Sequence, residues 1–192
     1  MINMSFGKAY SPYKAQVDAA VKYADSKGVL MVHGAGNDRK DLGSTPSFPK
    51  PEYDGGGRAM NWIEVGASSW KNGDSLVANF SNYGKAQVDV FAPGVDIYST
   101  VPGGYKKESG TSMASPVVAG LAALLMSYYP NLTATDVKRI ILESATRMTE
   151  VMVDRPGPGG ARVRFGDLSV TGGIVNAYAA LRMAEQFSKA RP

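Results

Sequence analysis

The 192-residue sequence has no cysteine and a single histidine, His33. Without cysteine there is no disulfide framework and no thiolate metal site, and the redox compartment stays open. With one histidine, any imidazole chemistry inside the sequence rests on His33. Charge is also sparse: 20% of residues are Asp, Glu, Lys or Arg and the net charge is +4. Lysines and arginines are scattered rather than gathered into a stripe, which argues against nucleic-acid binding. The longest apolar run, about fourteen residues after Ser112, falls short of the roughly 18–20 that a membrane span requires. No targeting segment is legible at the start, where residues 2–5 read as a strand, so location stays open.

What remains is an ordinary globular composition, 44% hydrophobic, long enough for one domain with its own core. Residues 110–126 dominate it. The small-residue turn Gly110-Thr111-Ser112 runs into a helix apolar on every side, which belongs in a domain centre. Pro116 is expected in its first turn, where a missing N–H breaks no helical bond. Upstream, residues 2–5 form a strand. Ser11-Pro12 opens a helix that Gly28 stops, and residues 29–35 form a second, doubly covered strand. Further strands are expected at 62–67, 77–80 and 88–92. Thr133 to Asp136 starts a helix through Ser144 with a capping box. Asn176 caps a last helix over 177–189. Residues 36–60 read as loop, and 147–171, rich in Gly, Pro and charge, as a mobile loop. Alternating strands and helices imply a parallel sheet.

The string Gly110-Thr-Ser-Met-Ala-Ser-Pro116 resembles the nucleophile motif of the subtilases, the subtilisin-like serine peptidases. Segments 2–5, 34–37, 65–67, 80–84, 91–94, 129–130 and 172–177 resemble the same family in the same order, whereas 39–61 and 147–171 match poorly. The resemblance implies a three-layer α/β/α fold with a mainly parallel sheet. Residues 1–192 would then be the C-terminal portion of one incomplete catalytic domain.

By that resemblance Ser112 is the nucleophile, at a helix N-terminus whose free N–H groups and dipole favour negative charge. Position alone would equally suit a helix cap. Asn37, at a strand end, matches the oxyanion-hole asparagine; alone it would read as a loop residue. Ser5, Phe6 and Gly7 match the segment that pairs with extended substrate and walls the specificity pocket. Gly34, Ala35 and Gly36 match a second wall, and Thr111 adjoins the nucleophile. Lys8 stands where many relatives carry a second glycine.

The family's other triad members, an aspartate in an Asp-Thr/Ser-Gly motif and a histidine in a His-Gly-Thr motif, are absent. His33 stands where relatives carry a small or apolar residue and reads as a packed strand histidine, whose nitrogens need partners if buried. Asp38 and Asp41 read as solvated. Glu150, Asp154 and Asp167 have no defensible metal spacing. No metal ligand is assigned, and calcium enters only as a cofactor common in the family. The expected substrate is a polypeptide, and the expected partner is the missing N-terminal part of the same domain. Truncation would leave a sheet edge prone to self-association. The resemblance implies an extracellular or cell-envelope location, and near inactivity for the isolated chain. A non-catalytic pseudoprotease or interaction module is the alternative. An α/β-hydrolase is rejected because no histidine follows Ser112, and a sedolisin-like peptidase would carry aspartate at position 37.

Overall fold

The computed structural model describes residues 1–189. In chain order the elements are β1 Ile2–Met4, α1 Lys14–Ser26, β2 Met31–Gly34, β3 Trp62–Ser68, β4 Val90–Pro93, β5 Ile97–Val101 and β6 Gly104–Glu108. There follow α2 Thr111–Tyr128, α3 Ala134–Glu143, β7 Thr146–Arg147, β8 Met152–Asp154, β9 Arg162–Arg164, β10 Gly173–Ile174 and α4 Ala177–Lys189. Six strands make one sheet in the order β1-β2-β3-β4-β10-β7. Every pairing is parallel except β10 with β7.

Strand alternation sends side chains to two cores. Val32, Ile63, Val65, Ala67, Val90 and Ala92 pack on one face against Ala114, Val118 and Leu125 of α2, with Ile140, Ile141 and Ala180 behind them. On the other face Met31 and Trp62 pack with Val21 of α1, while Phe91 packs with Val153, Phe165 and Leu168. The result is a mainly parallel α/β fold in three layers, one outer layer being α1 plus irregular segments.

Several elements differ from the sequence reading. Helix α1 starts at Lys14, and Tyr13 at its N-cap makes no side-chain capping bond. Ser11-Pro12 lies in the preceding turn instead. Residues 77–80 form no strand; Val77 makes only an isolated bridge to Ser68. Helix α2 begins at Thr111, so Pro116 falls beyond its first turn. One side of α2 is open, with Pro116, Val117, Gly120, Leu124 and Tyr128 exposed. At 18 residues and a mean hydropathy of 1.4, α2 is long and apolar enough to cross a membrane, contrary to the sequence count; in this fold it lies on β1 to β4. Segment 147–171 holds the β8–β9 hairpin, and its Val153 and Phe165 are fully buried, so it contributes side chains to the core. The β5–β6 hairpin, which has no counterpart in the sequence reading, projects with Tyr98 stacked on Tyr105. The Thr133–Asp136 capping box is present, and Asn176 Oδ1 accepts from the Ala179 N–H at 2.9 Å.

Candidate active site

The C-terminal ends of β1 and β2 and the N-terminus of α2 meet at a cleft of about 440 Å³. Parallel strands carry their loops to the same end of the sheet, where α/β ligand sites form. Ser5, Phe6, Gly7, Gly34, Gly36, Asn37, Thr111 and Ser112 line it, joined by Lys8, Asp38 and Ser47. Ala35 does not reach it: alternation turns its side chain into the core beside Leu76 and Phe91. A larger cavity of about 580 Å³ lies between residues 69–80 and 154–160 and contains none of these groups.

Ser112 is half-buried at the second position of α2. Its Oγ donates to the Ser5 carbonyl at 3.3 Å, and Ser5 Oγ donates to the Ser112 carbonyl at 2.9 Å. Ser5 Oγ in turn accepts from Asn3 Nδ2 at 3.0 Å, and Ser115 Oγ donates to Asn3 Oδ1 at 2.6 Å. A chain of polar contacts thus fixes β1 to the start of the helix.

Asn37 is held through its oxygen. Oδ1 accepts from the Thr111 N–H at 2.9 Å and the Thr111 hydroxyl at 3.2 Å. Its Nδ2 has no partner among the described residues, and neither does the Ser112 N–H. Both lie near the space a side chain on Gly110 would fill: a Cβ there would stand 3.5 Å from Asn37 Nδ2 and 3.6 Å from Ser112 N. Two donors without a partner among the described residues therefore lie near one side-chain-free space at a helix N-terminus, where the helix dipole favours negative charge. Thr111, 2% exposed, also accepts from the Gly36 N–H at 3.0 Å. Its side chain is engaged beneath the cleft rather than offered to a ligand.

Two positioning residues escaped the sequence reading. Asn82, fully buried, donates to the Ala35 carbonyl at 2.8 Å and accepts from the N–H groups of Asp38 and Lys40 at 3.0 and 2.9 Å. It clamps the loop that carries Asn37. Glu64, on β3, sits beside His33 in register. Its Oε1 meets His33 Nδ1 at 2.8 Å, and Trp62 Nε1 donates to its Oε2 at 2.8 Å. The signal for Glu64 was a lone charge within an apolar strand.

His33 is 1% exposed, and its second nitrogen, Nε2, meets the Phe6 carbonyl at 2.8 Å. Both ring nitrogens are therefore engaged, and neither is free to take a proton from Ser112. Burial pushes the His33 pKa down, but the charge and hydrogen bond of Glu64 and the Phe6 carbonyl outweigh it, so the net direction is up.

Among the described residues no three His, Asp or Glu side chains gather as a metal site. Glu150 instead faces Arg164 and Asp74 pairs with Arg162.

A family model described as the subtilase family matches residues 1–165. The chain is 41% identical over 150 residues to a thermophilic serine proteinase of Bacillus sp. strain AK1, spanning 78% of this chain and 33% of that protein. It is 37% identical over 181 residues to alkaline elastase YaB of Bacillus sp. strain YaB, spanning 94% of this chain and 39% of that protein. Among solved structures, a protease from Pseudoalteromonas arctica PAMC 21717 superposes with a TM-score of 0.71 at 28% identity, covering 95% of this chain and 50% of that one.

Proposed function

This chain belongs to the subtilase family of serine peptidases, and on that footing we propose that it carries the nucleophile half of a serine endopeptidase site. Ser112 Oγ would attack the peptide carbonyl, and the oxyanion would be received by Asn37 Nδ2 and the Ser112 N–H. Ser5, Phe6 and Gly7 would align extended substrate, with Gly34 and Gly36 opposite. The observation that carries this reading is the pair of unpartnered donors flanking the space above Gly110.

Acyl transfer needs a base to accept the Ser112 proton. His33 is the one histidine of the sequence, and both of its nitrogens are engaged. The base and its orienting carboxylate would come from outside these 192 residues, and the chain by itself would be nearly inactive. Peptide hydrolysis by the pure chain, measured with and without added imidazole, tests this. Slow hydrolysis that imidazole accelerates and Ser112→Ala abolishes supports the proposal. Hydrolysis untouched by Ser112→Ala would overturn it. The unavailable histidine favours a second reading, a non-catalytic module, which predicts no Ser112-dependent turnover even with imidazole.

The partner would be further chain from the same domain. Among the described residues β1 pairs on one side only, Ile2 is 45% exposed on it, and Val117 and Leu124 are exposed on α2. Such an edge recruits another strand or a second copy. Sedimentation showing a clean monomer at high concentration would count against self-association.

A further inference from the structure

The segment that lines the cleft, residues 5–8, is held at three places. Ser5 is tied to Ser112, as above. Lys8 exchanges both backbone hydrogen bonds with Phe48 at 2.9 Å. Between them the Phe6 side chain is 64% exposed and anchors nothing, so residue 6 is fixed through its carbonyl on His33 Nε2. Of the three ties, only this one titrates.

The proton count follows from the acceptors. The Phe6 carbonyl can only accept, so Nε2 carries a proton. Glu64 Oε2 already accepts from Trp62, and the short contact from Oε1 to Nδ1 needs one more proton between them. The charge and hydrogen bond of Glu64 hold that proton on the ring, so the pair is a doubly protonated imidazole against a carboxylate. Loss of one leaves two lone pairs facing each other, either against Glu64 or against the Phe6 carbonyl.

We propose that His33 is a positioning residue for the substrate-facing segment: with Glu64 it clamps the Phe6 carbonyl through a doubly protonated arrangement, and peptide affinity falls when one proton leaves. The affinity claim rests on the reading of the cleft as a peptide site. The charged surroundings set the balance. Asp89 accepts from the Glu64 N–H at 2.7 Å and is itself faced by Lys138 and Arg58. Lys50 and Glu52 share a cavity with Glu64. The Trp62 ring lies 5.3 Å from the imidazole and keeps solvent away. Gly7 leaves the passage open, since a Cβ there would stand 3.2 Å from the Phe48 carbonyl and 3.8 Å from His33 Nε2.

A single histidine makes the test direct. The ring nitrogens and the Phe6 carbonyl carbon of the 192-residue chain would be followed by NMR from about pH 5 to about pH 10. Affinity for N-acetyl tetra-alanine amide, which has no titrating group, would be measured at each pH. The expected result is a ring bearing two protons at neutral pH, a Phe6 signal that titrates with it, and peptide binding weakened about tenfold across the same midpoint. Glu64→Gln should move that midpoint down. His33→Gln, which keeps a donor toward Phe6, should bind peptide with an affinity independent of pH. A ring with one proton at neutral pH, or a Phe6 signal or affinity that ignores its titration, would overturn the clamp. Ring and carbonyl titrating together with no peptide bound at any pH would uphold the clamp and sink the peptide-site reading.

Discussion

Ser5 Oγ donates to the Ser112 carbonyl at 2.9 Å, the one acceptor in this turn of α2 that Pro116, four residues on, cannot serve. Proline lacks the N–H that would close that helical bond. The gap it leaves is filled from β1, which joins the strand of the cleft to the helix of the nucleophile. Ser5→Ala should cost about 1–2 kcal/mol in urea unfolding, because a part-buried carbonyl loses its partner. In a Pro116→Ala background the helical N–H returns, and the same substitution should cost about half as much. Equal costs in both backgrounds would show that the two residues are not coupled.

Asn82 is expected to matter as much to the Asn37 loop as any residue in the cleft. Asn82→Ala removes one donor and two accepted bonds from a dry site and should cost about 3 kcal/mol. Gly36→Ala should be comparably harmful: φ is +101°, and the new Cβ would lie 2.5 Å from Asn82 Nδ2. Denaturant unfolding of each variant checks both, and wild-type midpoints would contradict the clamp.

Residues 163–171 should resist limited proteolysis despite the glycines in and before them. The Phe165 ring packs tilted against Phe91 with ring centroids 4.9 Å apart, and Phe165→Ala should cost about 3–5 kcal/mol through the cavity it leaves. Early cleavage beside Phe165 would contradict its place in the core.

Stability should fall as pH rises above neutrality. The His33 pKa is raised in the folded state from an ordinary value of 6.5. Its contribution is fully present below the unfolded pKa and disappears as pH climbs through the folded one. Asp89, raised chiefly by burial, acts in the same sense at lower pH. Thermal unfolding across pH checks the sign, and Glu64→Gln should flatten the alkaline limb.

Much of this was legible without coordinates. The start of α2, the strand end at Asn37 and the strands at 2–5 and 62–67 carry strong local signals, a small-residue turn before an apolar helix and apolar runs of strand length. Local signals cannot report register, so the meeting of His33 with Glu64, 31 residues apart, needed the sheet. Segment 147–171 misleads because Phe165 and Leu168 stand singly between charged or small residues and Val153 ends an apolar run of only three residues, so only tertiary packing buries them. The open side of α2 was hidden for the opposite reason: an all-apolar sequence does not say which face has a neighbour.

The most direct test of the site is covalent modification of the 192-residue chain by a fluorophosphonate in the presence of imidazole, mapped by mass spectrometry. The expected result is modification confined to Ser112 and slowed in Asn37→Ala by roughly 10²-fold, a figure established in subtilisin rather than in this chain. No modification of Ser112, or an equal rate in Asn37→Ala, would contradict the assignment of nucleophile and oxyanion donor.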